Sequence, residues 1–224
     1  MTLKLFSLAF SIKKIPKVTW SSEDAFNLKP KPLTLIFLVF GLFLFGLGES
    51  LLITSGAGVG PYTVLAQGVV NHTDWSIGLS TFVISIFVLL MWIPLKQKPG
   101  MGTILNAFII ALTIEFSVFY LPYPETYPMQ ILQVVVGVLI IGIGSGFYLI
   151  ANLGAGPRDG LMIGLQKKTN LPIYSIRTII EVSVVIVGWL MGGVVGLGTA
   201  IFAFGIGPSV ALGLSMVGKA SKTI

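Results

Sequence analysis

The stretch from Val182 to Gly218 reads VSVVIVGWLMGGVVGLGTAIFAFGIGPSVALGLSMVG and holds no Asp, Glu, Lys or Arg. A helix needs about 20 apolar residues to cross a bilayer, and this run exceeds that. The rest of the 224 residues agrees with it. Hydrophobic residues make up 54% and charged residues 10%, against about 25% charged in soluble domains. Mean hydropathy is +0.95. The composition is that of a polytopic membrane protein. It excludes a soluble enzyme, a nucleic-acid binder and a disordered tail as readings of the whole chain. With no cysteine, disulfides, thiolate metal sites and thiol chemistry drop out.

Outward from that run, six apolar segments are long enough to span: Leu33–Thr54, Trp75–Leu95, Met101–Leu121, Met129–Ile150, Leu171–Val194 and Leu197–Met216. Helices are expected, because backbone in lipid must satisfy its own hydrogen bonds. Two shorter segments, Pro61–Val70 and Pro157–Gln166, each follow a Gly-rich turn. About ten residues at 1.5 Å each cover half a bilayer, so these read as half-helices.

The charges set an orientation. With the N-terminus inside and six spans, the 14 basic residues fall on or near one side: Lys4 to Lys31, Lys96 and Lys98, Arg158, Lys167, Lys168 and Arg177, and Lys219 and Lys222. The outer loops around residues 56–74 and 122–127 carry none. The positive-inside rule then predicts both termini in the cytoplasm. Trp75, Trp92, Tyr120, Tyr123 and Tyr127 fall at the expected interfaces. The apolar stretch Leu5–Ile12 is short, and Lys13 and Lys14 follow it with no cleavage motif. Residues 1–32 are therefore expected to be a cytoplasmic basic arm, solvated or lying on anionic lipid, rather than a signal peptide.

Shifted by 96 residues, the chain resembles itself. Gly58-Val-Gly60-Pro61 meets Gly154-Ala-Gly156-Pro157, and Gly100-Met-Gly102-Thr103 meets Gly196-Leu-Gly198-Thr199. Sixteen positions are identical between 46–108 and 142–204 without a gap, where composition alone gives about five. Each copy holds three spans, so the second must enter from the opposite face. The expectation is an all-α membrane helix bundle of six spans in two inverted three-helix repeats, 33–124 and 125–218, followed by a cytoplasmic tail at 219–224. In such folds interrupted helices at matching positions mark the substrate site. The candidates are Gly58, Gly60, Pro61, Gly154, Gly156 and Pro157. Glycine there permits unwound backbone, and proline opens a helix whose free N–H groups face an anion or polar group. The same pattern also suits a tight turn with no ligand.

The block Gly154-Ala-Gly-Pro-Arg-Asp-Gly-Leu-Met162 resembles the YitT/YczE family of bacterial integral membrane proteins. Arg177, Glu181, Gly188-Trp189, Gly192-Gly193, the Gly196–Thr199 motif and Gly207-Pro208 continue the likeness, which covers 33–216. Some relatives carry Trp and His where this chain has Tyr62 and Ala66, so a role for that His does not carry over. The resemblance implies a bacterial inner-membrane protein and supplies no substrate.

Ionisable residues inside a bilayer cost about 2.5–3.5 kcal/mol each, so each needs a partner or a use. Arg158, Asp159, Arg177 and Glu181 are expected to form a cytoplasmic-side cluster that pins the second half-helix to span five. It is either a structural ion pair or a gate with an anionic-group site. Glu49 and Glu115 have no basic residue at their expected depth. Burial disfavours their charged form, so each is a neutral hydrogen-bond donor or a proton carrier for coupling. Gly142/Gly146 and Gly188/Gly192/Gly196 are small-residue faces suited to packing helices within the monomer. No catalytic residue, metal site or cofactor motif is seen. His72 is the lone histidine, and Ser145 in Gly144-Ser-Gly146 lacks a base. The expected function is a permease or secondary transporter of an unidentified small solute or ion, with no nucleic-acid partner. The alternative is a non-transporting membrane factor that supports or regulates a partner protein.

Overall fold

The computed structural model describes residues 15–221. Lys4, Lys13, Lys14, Lys222 and the Leu5–Ile12 stretch lie outside the described residues. Among the described residues there are eight helices and no strand: α1 Pro32–Ser55, α2 Pro61–His72, α3 Ile77–Leu90, α4 Met101–Ser117, α5 Tyr127–Ala151, α6 Pro157–Thr169, α7 Ile173–Leu190 and α8 Leu197–Ala220.

Local chemistry sets these limits. Pro32, Pro61 and Pro157 open α1, α2 and α6 within the first two helical positions, where the missing N–H costs nothing. Gly56 and Asn152 close α1 and α5 in the left-handed conformation. Pro94 and Pro122 stand four residues beyond Leu90 and Val118, whose carbonyls a continuing helix would clash with. That shortens α3 to 14 residues and α4 to 17.

Length therefore does not yield six crossings. Four helices (α1, α5, α7 and α8) are long and apolar enough to cross a membrane. A fifth crossing results if α2 and α3, bent by 116° at their junction, count as one span. The helix starts recur at the offset seen in the sequence: Pro61 and Pro157, Ile77 and Ile173, Met101 and Leu197.

The pair α1 and α5 forms the centre of the bundle, flanked by α4 on α1 and α8 on α5. Glycines set these approaches. A Cβ on Gly41 would fall 2.7 Å from the Gly144 oxygen, and one on Gly142 only 2.3 Å from the Ser209 carbonyl carbon. The small-residue face at Gly142 and Gly146 thus packs α5 on α8 within one chain. Meanwhile α2 lies on α7, and α6 on α3, so each half-helix docks on the other half of the chain. Large apolar side chains such as Phe119, Leu190 and Phe204 are exposed, as a lipid-facing surface requires.

Residues 15–31 differ from the expected solvated arm. Trp20 is 1% exposed, its ring lies 4.7 Å from that of Phe37 at a 43° tilt, and its Nε1–H donates to Ser221 Oγ at 3.0 Å. The Thr34 hydroxyl donates to the Trp20 carbonyl. The Ser22 N–H donates to the Ala151 carbonyl at 3.0 Å, and Asn152 Nδ2–H to the Ser22 carbonyl at 2.9 Å. The arm thereby satisfies one orphan carbonyl at the end of α5, that of Ala151. One tryptophan outweighs the basic residues around it because burying its ring removes a large apolar area from water. Trp20→Phe keeps an aromatic ring in the smaller phenyl and strands the buried Ser221 hydroxyl. A loss of about 1–2 kcal/mol in stability is expected, read as a lower melting temperature in detergent. An unchanged melting temperature would show that this bond contributes nothing.

Candidate functional site

The unwound loops between α1 and α2 and between α5 and α6 are built alike. Gly58 and Gly154 have φ of 115° and 114°, a conformation open mainly to glycine. A Cβ on either would also strike backbone, 2.7 Å from the Gly196 nitrogen and 2.9 Å from the Gly100 Cα. The loop carbonyls find donors at opposite helix starts. The Gly198 N–H donates to the Ala57 carbonyl at 2.8 Å and the Gly102 N–H to the Leu153 carbonyl at 2.7 Å. Thus each loop's exposed backbone is satisfied by the free N-terminal groups of α8 or α4. Gly60 faces the Phe202 ring, whereas Gly156 faces Asn106 and Asp159.

These loops aim the starts of α2 and α6 at each other. Tyr62 and Arg158, at matching positions, meet: the guanidinium carbon lies 4.9 Å from the Tyr62 ring centroid and 5.5 Å from that of Phe45. Cation–π contact on two faces holds the charge in place. Among the described residues the guanidinium has no hydrogen-bond or ion-pair partner.

Arg158 shares a cavity of about 30 Å³ with Glu49, Tyr62, Thr63, Thr81 and Ser85. The Pro157 carbonyl beside it accepts from Trp92 Nε1–H at 2.9 Å. Glu49 is 2% exposed. Its Oε2 accepts from the Thr63 hydroxyl at 2.8 Å, but among the described residues its Oε1 and the Tyr62 hydroxyl are buried without partners. Arg158 is near enough for its charge to act on Glu49. The expectation that no basic residue lies at the depth of Glu49 is therefore corrected. Counting from loop ends placed Arg158 at the cytoplasmic edge, while the half-helix starts deep in the bundle.

The four-residue cytoplasmic cluster is also corrected, because it divides. Arg177 Nε–H donates to Glu181 Oε1 at 2.8 Å, one turn apart on α7. Asp159 Oδ2 accepts from the Tyr148 hydroxyl at 2.5 Å. Arg158 turns the other way. Consecutive helical residues point in different directions, so the direct contacts differ: Arg158 lies over the Tyr62 ring and Asp159 accepts from the Tyr148 hydroxyl. Arg158, Asp159 and Glu181 all act on the Tyr62 hydroxyl, so the two groups share a neighbourhood without ion pairs between them. Glu115 lies elsewhere. Its Oε2 accepts from the Gly78 N–H at 3.1 Å at the start of α3, and it lines a separate groove with Phe82 and Phe108. Among the described residues no group of three or more His, Asp or Glu could hold a metal ion.

Phe45, Tyr62, Thr63, Thr81, Ser85 and Tyr148 are the site residues that sequence reasoning missed. The repeat register held part of the signal. Tyr62 precedes Arg158 by 96 residues, and Thr81 and Ser85 precede Arg177 and Glu181 by the same number.

Residues 33–214 match a family of unknown function, DUF6198. The chain belongs to this family. The DUF6198 chain is 39% identical over 208 residues to a protein of Haemophilus influenzae described as uncharacterized, covering 93% of this chain and 94% of that one. It is 32% identical over 169 residues to the uncharacterized membrane protein YczE of Bacillus subtilis, covering 75% and 79%. YyaS of the same organism is 25% identical over 163 residues. The YczE resemblance expected from the Gly-Pro-Arg-Asp block therefore holds. No solved structure matches the chain.

Proposed function

We propose that this multi-pass DUF6198 protein is a permease, carrying a small polar solute or ion through a site between the starts of α2 and α6. The observation that carries the reading is the cavity itself, where polar and charged side chains stand among the apolar walls of Ile84, Val88, Ile110 and Ile114. A buried carboxylate and a guanidinium face a small space at the meeting point of two half-helices. Structural ion pairs close such a gap, whereas a transport site leaves partners free for cargo. In the proposed topology six crossings form two inverted repeats in a bacterial inner membrane, with both termini cytoplasmic. The short helices α3 and α4 cross with their flanking turns. Alternating access then moves the two halves about the Gly58–Pro61 and Gly154–Pro157 loops.

Uptake by proteoliposomes tests the reading. Wild-type protein is expected to raise the flux of a small polar tracer above that of empty vesicles. Glu181→Gln is expected to keep the melting temperature and reduce flux, because the Glu181 charge acts near the Tyr62 hydroxyl of the cavity while a glutamine oxygen still accepts from Arg177. Full stability with unaltered flux would make the Arg177–Glu181 pair irrelevant to transport. No flux of any tracer would favour the alternative, a membrane factor serving a partner protein.

A further inference from the structure

We propose that the Glu49–Arg158 cavity binds one small monovalent anion together with one proton on Glu49 Oε1. The assignment rests on the permease reading and names the class of its cargo.

Four observations lead to it. First, Arg158 is held by the Phe45 and Tyr62 rings, so its donors are not committed to a carboxylate. Second, the Tyr62 hydroxyl and Glu49 Oε1 are buried and have no partner among the described residues. A carboxylate oxygen with no donor is poor design for a permanent anion, but once protonated it becomes a donor itself. Third, the starts of α2 and α6 both point here, and helix N-termini favour negative charge. Fourth, about 30 Å³ has room for roughly two waters. That suits chloride, nitrate or formate and is too small for phosphate or a dicarboxylate.

The arrangement gives the anion three donors: the Arg158 guanidinium, the Tyr62 hydroxyl and protonated Glu49. Thr81 and Ser85 donate to carbonyls of their own helix, Ile77 and Thr81, at 2.8 and 2.9 Å. Thr63 donates to Glu49 Oε2. The charged side chains that line the cavity are Glu49 on α1 and Arg158 on α6; Asp159 on α6 and Glu181 on α7 stand near the Tyr62 hydroxyl, and Glu181 pairs with the more exposed Arg177 on α7. The phenols are Tyr62 on α2 and Tyr148 on α5. Without anion, ionised Glu49 is the negative charge that Arg158 faces. When an anion enters, a proton from water moves to Glu49 Oε1 and the anion takes over that role. One negative charge and one proton arrive together, so the charge of the site is unchanged. Carrying both across would be electroneutral symport.

The test is anion-dependent thermal stabilisation of the purified full-length protein at constant ionic strength. Chloride and formate are titrated against gluconate at pH 5.5 and 7.5. Binding linked to one proton changes affinity by up to about tenfold per pH unit, so wild type should bind at least tenfold more tightly at pH 5.5. Glu49→Gln, whose amide donates at any pH, should bind equally at both. The double variant Glu49→Gln/Arg158→Gln avoids stranding a buried carboxylate and should not bind. Equal wild-type affinity at the two pH values, binding by the double variant, or no binding by either wild type or Glu49→Gln would each overturn the assignment. Proteoliposome flux separates it from the permease reading. Binding as described without flux removes the permease and keeps the site. Flux of another tracer with no anion binding removes the anion assignment alone.

Discussion

Arg158→Gln is expected to lower stability far more than Glu49→Gln, and the double variant to recover much of the loss. Glu49 is almost fully buried, and among the described residues Thr63 is its sole hydrogen-bond donor. Glu49 and Arg158 line one cavity without forming an ion pair, but removing the guanidinium leaves the buried carboxylate with no cation facing it, and an uncompensated buried charge is costly. Glu49→Gln costs less, for two reasons. The amide oxygen still accepts from Thr63, and Arg158 keeps both aromatic faces. In the double variant no charge is stranded. A double-mutant cycle by thermal or denaturant unfolding in detergent measures the coupling. Additive single effects would show that the two charges do not sense each other across the cavity.

Gly142→Leu is expected to be the most disruptive single change in the bundle. An added Cβ at Gly142 would sit 2.3–2.5 Å from Ser209 backbone and side-chain atoms. Facing it, a Cβ on Gly213 would sit 2.1 Å from the Gly142 oxygen. Neither obstacle is a flexible side-chain end, so α5 and α8 must separate. Overpacking a close contact costs about 1–3 kcal/mol or more, and a leucine here adds three carbons beyond that Cβ. The variant is expected to aggregate on extraction or to melt well below wild type. Gly205→Ala on α8 is the control, since its Cβ would meet only Val138 Cγ1 at 3.3 Å. Equal tolerance of both substitutions would refute close helix packing as the source of stability here.

Much of this was legible in the sequence, and the shortfalls have physical causes. Hydropathy located every helix, and the Gly-Pro motifs placed the starts of α2 and α6 at Pro61 and Pro157. Hydropathy alone overran α3 and α4, because Leu95 and Leu121 are apolar enough to extend a span while Pro94 and Pro122 end the helices before them. Arg158 and Asp159 were marked as site residues by their cost in lipid. Their partners were not legible. Phe45, Tyr62 and Tyr148 are unremarkable aromatics in apolar helices; Phe45 and Tyr62 contact Arg158 only when the two halves meet, and Tyr148 meets Asp159 only when α6 folds back on α5. Trp20 shows the same limit, since a lone tryptophan among lysines gives no sign of Ser221 at the far end of the chain.

The central claim is that α2 and α6 enter the bilayer from opposite faces and meet at their N-termini. The chain has no cysteine, so single cysteines report without background. His72→Cys at the far end of α2 and Lys167→Cys at the far end of α6 should react with a membrane-impermeant maleimide in opposite situations. His72→Cys is expected to label in intact cells, and Lys167→Cys only after the membrane is opened. Labelling of both from the same side would contradict the account.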